Sequence, residues 1–198
     1  MSPLILASAS AARRRLLADA GVMAEIDPAP IDEAAIKEEY RRSGRSSAGC
    51  AARLAEAKAR AVAARHPAGL VLGADQLLDC AGEWYDKPRN RDDARDQLSR
   101  LRGRSHVLVT AAAVVRDDER LWQAVEQPRV TMRAFSDAFL ERYLDAVGER
   151  VLKTVGGYEL EGLGAQLVER VEGDYFAILG LPLLPLLHFL RGAGALAA

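Results

Sequence analysis

Leu4–Leu17, LILASASAARRRLL, is three bunched apolar residues, a run of small residues carrying two serines, and three consecutive arginines that open an amphipathic segment. Leu4, Ile5 and Leu6 are too few for a helix and suit a buried strand, while Ala7 to Ala12 put no bulk between the backbone and a ligand. The stretch therefore predicts a strand, a tight turn and a helix start. Such a turn presents N–H groups, with Ser8 and Ser10 available as hydroxyl donors or helix caps. The N-terminal end of a helix carries roughly half a positive charge, so a phosphate is stabilised there, and Arg13 adds a bidentate grip. A capped helix with solvated arginines is the other reading, and both stand at this point. Arginines in a first turn oppose the helix dipole, which asks for a compensating anion.

Outward from this unit the chain alternates strand-like and helix-like segments. Gly21 stops the first helix, and Val22–Ile26 reads as a short strand. Asp32 and Glu33 open a charged helix, Ala34 to Arg42, where acidic residues also suit the first turn. Ser43 to Gly49 reads as a polar loop. Cys50 to His66, CAARLAEAKARAVAARH, is an alanine-rich helix with Leu54, Ala57, Ala61 and Val62 along one face. Lys58, one residue beyond Ala57, tilts its ammonium toward a site or toward water, and on this face alone water is favoured.

Leu70 to Leu72 predicts a buried strand ending at Gly73-Ala74-Asp75-Gln76. A carboxylate at a strand end lies where open α/β sheets place their ligands, although Asp also favours such turns for local hydrogen bonding. Leu77 to Tyr85 reads as a hairpin leading to Asp86-Lys87-Pro88, where Pro88 holds Lys87 in an extended backbone. A helix over Asp92 to Leu101 and a strand over His106 to Val115 follow. Trp122 to Arg133 reads as one strand, at an edge because of Pro128, and Ser136 caps a helix running to Val147. Gly156 to Gly164 packs four glycines into nine residues around Glu161, the mark of positive φ or of close approach to a ligand. Gln166–Val171 and Tyr175–Ile178 read as strands before a last helix whose first turn holds Pro182 and Pro185.

The 198 residues suffice for one domain, or for two lobes sharing one sheet. Lysines and arginines number 27 against 28 acidic residues, giving a net charge of -1 that disfavours nucleic acid and an acidic membrane as partners. Cys50 and Cys80 form no CxxC pattern, and His66, His106 and His188 stand singly, so no zinc-type spacing appears. Unpaired cysteine usage points to a reduced, cytoplasmic setting. The longest apolar run, Ile178 to Leu190, is broken by Gly180, Pro182 and Pro185 and is too short for a membrane span, and no secretory signal is expected.

The sequence resembles the Maf family of nucleoside triphosphate pyrophosphatases. The resemblance rests on LASASAARRRLL, Asp32-Glu33, LAEAKA around Lys58, LGADQ around Asp75, DKP at Lys87, HVLVT from His106, GGYELEGLG from Gly156 and GDYFAILGLPLLPL from Gly173. It spans nearly the whole chain, as one Maf-like domain over residues 1–198. The chain departs from the family's usual proline at Ala11 and glycine at Asp86. The resemblance implies an α/β fold with an elongated mixed central sheet flanked by helices, two lobes with an active-site cleft between them, a divalent metal (Mg2+ or Mn2+) and a homodimer. It also implies hydrolysis of a nucleoside triphosphate, as substrate, to monophosphate and pyrophosphate, removing modified or non-standard nucleotides.

Carried onto this sequence, the resemblance makes Ser8, Arg13, Lys58 and Lys87 substrate-binding. Asp75 becomes the general base or activator of a metal-bound water, and Glu33 and Asp75 the metal ligands, since hard oxygens suit magnesium or manganese. Ala12, Gln76 and Glu161 are the specificity positions. Gln76 and Glu161 resemble the subgroup acting on 7-methyl-GTP, and a glutamate suits a purine edge with N–H donors or a cationic base. Ala12 stands where that subgroup carries tryptophan, omitting a stacking platform worth ~1–3 kcal/mol. A dTTP or UTP pyrophosphatase is the alternative. The family's looser association with cell-division arrest gives another, a nucleotide-binding regulatory protein without turnover.

Overall fold

Leu4, Ile5 and Leu6 are buried and form β1 (Leu4–Leu6), the strand expected of three bunched apolar residues. The computed structural model describes residues 3–197. After β1 come α1 (Ala11–Asp19), β2 (Ala24–Ile26), α2 (Glu33–Arg42), α3 (Ser47–Ala63), β3 (Leu70–Cys80), β4 (Glu83–Tyr85) and α4 (Arg91–Leu101). The chain continues through β5 (Ser105–Arg116), β6 (Glu119–Glu126), β7 (Arg129–Met132), α5 (Asp137–Val147), β8 (Val168–Glu172), α6 (Tyr175–Ile178) and α7 (Leu183–Gly192). Eight strands form one mixed sheet in the order β2-β1-β3-β5-β7-β8, with β4 paired to β3 and β6 to β5. β1 lies parallel to both β2 and β3, and the β3–β4, β5–β6, β5–β7 and β7–β8 pairs are antiparallel. With helices between the strands, this is the α/β class with the mixed central sheet that the family resemblance implies.

Two compact units share the chain. The first takes the residues up to Gln76, Thr110–Glu126 and those from Gly180 onward. Within it Ile5, Ala7 and Val71 pack with Ala59, Val62 and Ala63 of α3, a contact of strand on helix. The second takes Leu77–Val109 and Gln127–Leu179, with a core that includes Leu78, Leu98, Leu101, Leu108, Met132, Leu140 and Tyr158. Each leucine so buried contributes ~1.5–3 kcal/mol.

Several elements differ from the sequence reading. β3 does not end at Gly73 but runs on to Cys80, so Asp75 is inside a strand, not at its end. Gly73 is there because α3 crosses it: a Cβ would fall 2.0 Å from the Ala55 carbonyl oxygen and 2.7 Å from the Ala59 nitrogen. The stretch Trp122 to Arg133 is two strands, parted at Gln127-Pro128, because proline has no N–H for the ladder. Tyr175–Ile178 is a helix, since the Asp174 carboxylate accepts from the Ala177 N–H at 2.6 Å and starts a turn. In the same way Ser46 caps α3 by accepting from the Gly49 N–H at 3.1 Å, so the helix begins inside the expected polar loop. A single-turn 3-10 segment at Leu163–Leu167 delays the following strand to Val168.

Candidate active site

The turn after β1 brings two serine hydroxyls together with a buried arginine. The Ser10 hydroxyl oxygen caps α1 by accepting from the Arg13 N–H at 3.4 Å. The Ser8 hydroxyl oxygen accepts from the Ser10 N–H at 3.3 Å and from an Arg13 terminal guanidinium nitrogen at 3.1 Å, which leaves its own O–H to donate. Arg14 and Arg15 are exposed, whereas Arg13 shares the inward stripe of α1 with Leu16 and Leu17 and is buried. Its Nε donates to the Gly180 carbonyl at 2.8 Å. Burial pulls the Arg13 pKa below its usual value, opposed by the charges of Asp75 and Glu33, so these carboxylates help keep the guanidinium charged.

Lys58 overturns the solvent-facing reading. The inward face of α3 is Cys50, Ala51, Leu54, Ala55, Lys58, Ala59 and Val62, and Lys58 is only 7% exposed. Spacing Leu54–Lys58–Val62 at i, i+4, i+8 puts it on the stripe that meets β3. Gly73 and Asp75, two residues apart on a strand, share the face that α3 covers. The close approach at Gly73 thus delivers the Lys58 ammonium to Asp75, with Nζ 2.5 Å from Oδ1. The same Nζ is 2.8 Å from Glu33 Oε1. Glu33 is the first residue of α2, and its neighbour Asp32 is spent on the cap, accepting from the Ala35 N–H at 3.0 Å. Asp75 is 5% exposed, and its second oxygen, Oδ2, is buried with no hydrogen-bond partner among the described residues.

The remaining expected residues are placed differently. Gln76 alternates to the opposite face of β3 from Asp75, where its amide donates to the Thr110 hydroxyl at 2.8 Å. Ala12 is half-buried on α1. Lys87, exposed after β4, and Glu161, exposed between two 3-10 segments, belong to the second unit. The glycine-rich stretch takes positive φ at Gly156 and Gly157 and approaches other parts of the chain closely. A Cβ at Gly156 would meet Leu78 at 2.5 Å, and one at Gly164 would meet the Glu159 carbonyl at 2.4 Å. The Gly157 carbonyl accepts from the buried Tyr143 hydroxyl at 3.0 Å.

Sequence reasoning missed Gly180 as the acceptor that orients Arg13 and Gly73 as the contact that seats Lys58. Four-residue spacing on α3 was the available signal for Lys58; a backbone carbonyl leaves none. His106, a lone histidine in the sequence, is buried with Nε2 2.7 Å from the Tyr158 hydroxyl.

An arginine, a lysine and a serine hydroxyl set beside two carboxylates, on an α/β scaffold, define a protein built to handle phosphate anions. The family model described as Maf-like protein matches residues 3–193, and the chain belongs to that family. It is 52% identical over 192 residues to a nucleoside triphosphate pyrophosphatase of Paramagnetospirillum magneticum, covering 97% of this chain and 99% of that protein. It is 49% identical to a 7-methyl-GTP pyrophosphatase of Rhizobium meliloti, covering 100% of each chain. A second 7-methyl-GTP pyrophosphatase, from Rhizobium etli, is 46% identical over 99% of each. No described helix is long and apolar enough to cross a membrane.

Proposed function

We infer that this chain is a nucleoside triphosphate pyrophosphatase, converting a nucleoside triphosphate and water to the monophosphate and pyrophosphate. The observation that carries the reading at the residue scale is Asp75: a buried carboxylate with Oδ1 held by Lys58 and Oδ2 unpartnered. Oδ2 is the acceptor for a proton of the attacking water. The water oxygen bonds to the α-phosphorus, the bridging P–O bond to the β-phosphate breaks, and pyrophosphate leaves with that electron pair. Arg13 and the Ser8 hydroxyl bind phosphate oxygens, with Lys87 assigned to the same task by the family resemblance. The family membership and the names of the full-length relatives support the reaction class.

A divalent cation fits the donor set. Magnesium is commonly held by one or two carboxylates together with substrate phosphates; Glu33 would supply one hard donor of that kind, and Asp75 the second where it activates a metal-bound water instead of taking the proton directly. Held by these two residues, it would neutralise charge on the leaving pyrophosphate. The finer proposal is 7-methyl-GTP or a related modified purine nucleotide as substrate, supported by the resemblance of Gln76 and Glu161 to that subgroup's residues and by the names of two relatives. A homodimer and a cytoplasmic location belong to the same proposal, the latter in keeping with two buried cysteines that form no disulfide.

The test is pyrophosphate release across ordinary and modified triphosphates with Mg2+ or Mn2+. Release is expected, led by 7-methyl-GTP, and Asp75→Asn is expected to lower turnover at least ~100-fold with an unchanged circular dichroism spectrum. Preference for dTTP or UTP overturns the purine assignment, and near-normal turnover in Asp75→Asn removes Asp75 from the chemistry. Nucleotide binding by the wild type with no pyrophosphate released transfers the protein to a regulatory role.

A further inference from the structure

Lys58 is expected on a phosphate, yet its ammonium is committed to two carboxylates. Nζ sits 2.5 Å from Asp75 Oδ1 and 2.8 Å from Glu33 Oε1, and its side chain is 9% exposed. A buried lysine so placed cancels most of the repulsion between the two acids, and Arg13, whose charge also feels both, completes the local balance. A divalent cation drawing on the same oxygens would find an ammonium already in contact with them. Two cations at contact distance repel, most strongly at the Asp75 end, where Lys58 and Asp75 are buried, and less at Glu33, whose side chain is 44% exposed. Asp75 Oδ2, buried and without a hydrogen-bond partner among the described residues, is the one oxygen of that carboxylate which Lys58 leaves to a newcomer.

We propose that Lys58 is the built-in counter-cation of the site, and that a divalent metal loads by exchange with it: the metal takes the carboxylates of Glu33 and Asp75, and the displaced ammonium becomes available to the triphosphate. The proposal rests on the pyrophosphatase reading for the metal and the phosphate, and it deepens that reading by making metal loading and substrate capture one coupled event. The four-carbon stem of Lys58 lies along the inward face of α3, so rotation about its own bonds moves the ammonium without moving the helix. Exchange also accounts for a lysine on an otherwise apolar stripe, where a permanent structural role is served as well by an apolar residue of similar volume.

The experiment is Mn2+ titration without nucleotide, followed by calorimetry or by the loss of the free-ion spin-resonance signal. Lys58→Met keeps most of the stem and removes the competing charge. It is expected to bind Mn2+ roughly tenfold more tightly than the wild type, the scale of a typical coupling between two sites. Adding Asp75→Asn to Lys58→Met is expected to abolish the gain. Equal or weaker Mn2+ binding by folded Lys58→Met overturns the proposal. A second measurement uses the wild type alone, so that it stands if Lys58→Met fails to fold. Acylation of Lys58, read by mass spectrometry, is expected to rise when Mn2+ is added, and unchanged or lower labelling overturns the exchange. Neither measurement involves turnover, so absent pyrophosphate release with the exchange intact discards the reaction and keeps the exchange.

Discussion

His106 shows what burial does to a single titratable group. It is 1% exposed, its Nε2 meets the Tyr158 hydroxyl at 2.7 Å, and its Nδ1 has no partner among the described residues. Burial pushes its pKa down from 6.5 to about 4, and burial also raises that of Tyr158, so both are neutral at physiological pH. The sign of the linkage follows. As pH falls below 6.5 the unfolded chain gains a proton on His106 that the native state refuses until about pH 4, so stability declines across that window. The loss approaches roughly 3 kcal/mol at full extent. Urea denaturation between pH 7 and pH 4 is expected to show a steeper decline for the wild type than for His106→Gln, whose amide still reaches the tyrosine. Parallel declines would show that His106 titrates alike in both states. Nothing about HVLVT as a string announces this pairing, because Tyr158 is 52 residues away and joins through the fold. Ser8 and Arg13, by contrast, were legible because their partners lie within one turn of chain; only the Gly180 carbonyl, 167 residues off, was not.

Elements were read well where one period dominates and poorly where a small residue has two meanings. α4, α5 and β5 follow from helical or apolar patterning with a capping residue or a terminal glycine. Gly73 reads from the sequence as a strand end, since glycine punctuates turns as often as it admits a neighbouring backbone. Its role here is close approach, and that contact sets the height of α3 over β3 and so the Lys58–Asp75 distance. Gly73→Ala is expected to force the Ala55 carbonyl outward, cost about 3 kcal/mol in urea denaturation and lower pyrophosphate release with it. A variant of wild-type stability would mean that α3 can lift without penalty, and the placement of Lys58 would then need another cause. Tyr175–Ile178 failed for a different reason: aromatic and β-branched residues favour a strand, but the Asp174 cap outweighs that weak preference over four residues.

At the scale of the molecule, the α/β class was legible because strand-like and helix-like segments alternate, and sheet order was not, because it depends on pairings between distant segments. Leu4 pairs with both Ala24 and Leu70, and Thr110 with Glu126, none of which a local pattern encodes. Two lobes are expected from the sequence, but their boundary is not marked in a chain without a linker, for it runs through the interior of strands. β3 gives Leu70 to Gln76 to the first unit and Leu77 to Cys80 to the second; β5 gives Thr110 to Arg116 to the first and Ser105 to Val109 to the second. A unit that melted alone would break these strands in mid-course and leave the last ordered residues of each without their continuation. Apolar side chains on both sides of each break, Ala74 before and Leu77 and Leu78 after the first, Val109 before and Ala111 after the second, are fully or almost fully buried. Local opening of one unit therefore exposes part of the core on the very strands that carry the other, and the two are expected to unfold together. Scanning calorimetry of the protein without nucleotide is expected to give one transition, with a van't Hoff enthalpy equal to the calorimetric one. Two resolved transitions, or a van't Hoff enthalpy well below the calorimetric value, would show that β3 and β5 can break at Gln76 and Val109 and that the units fold separately.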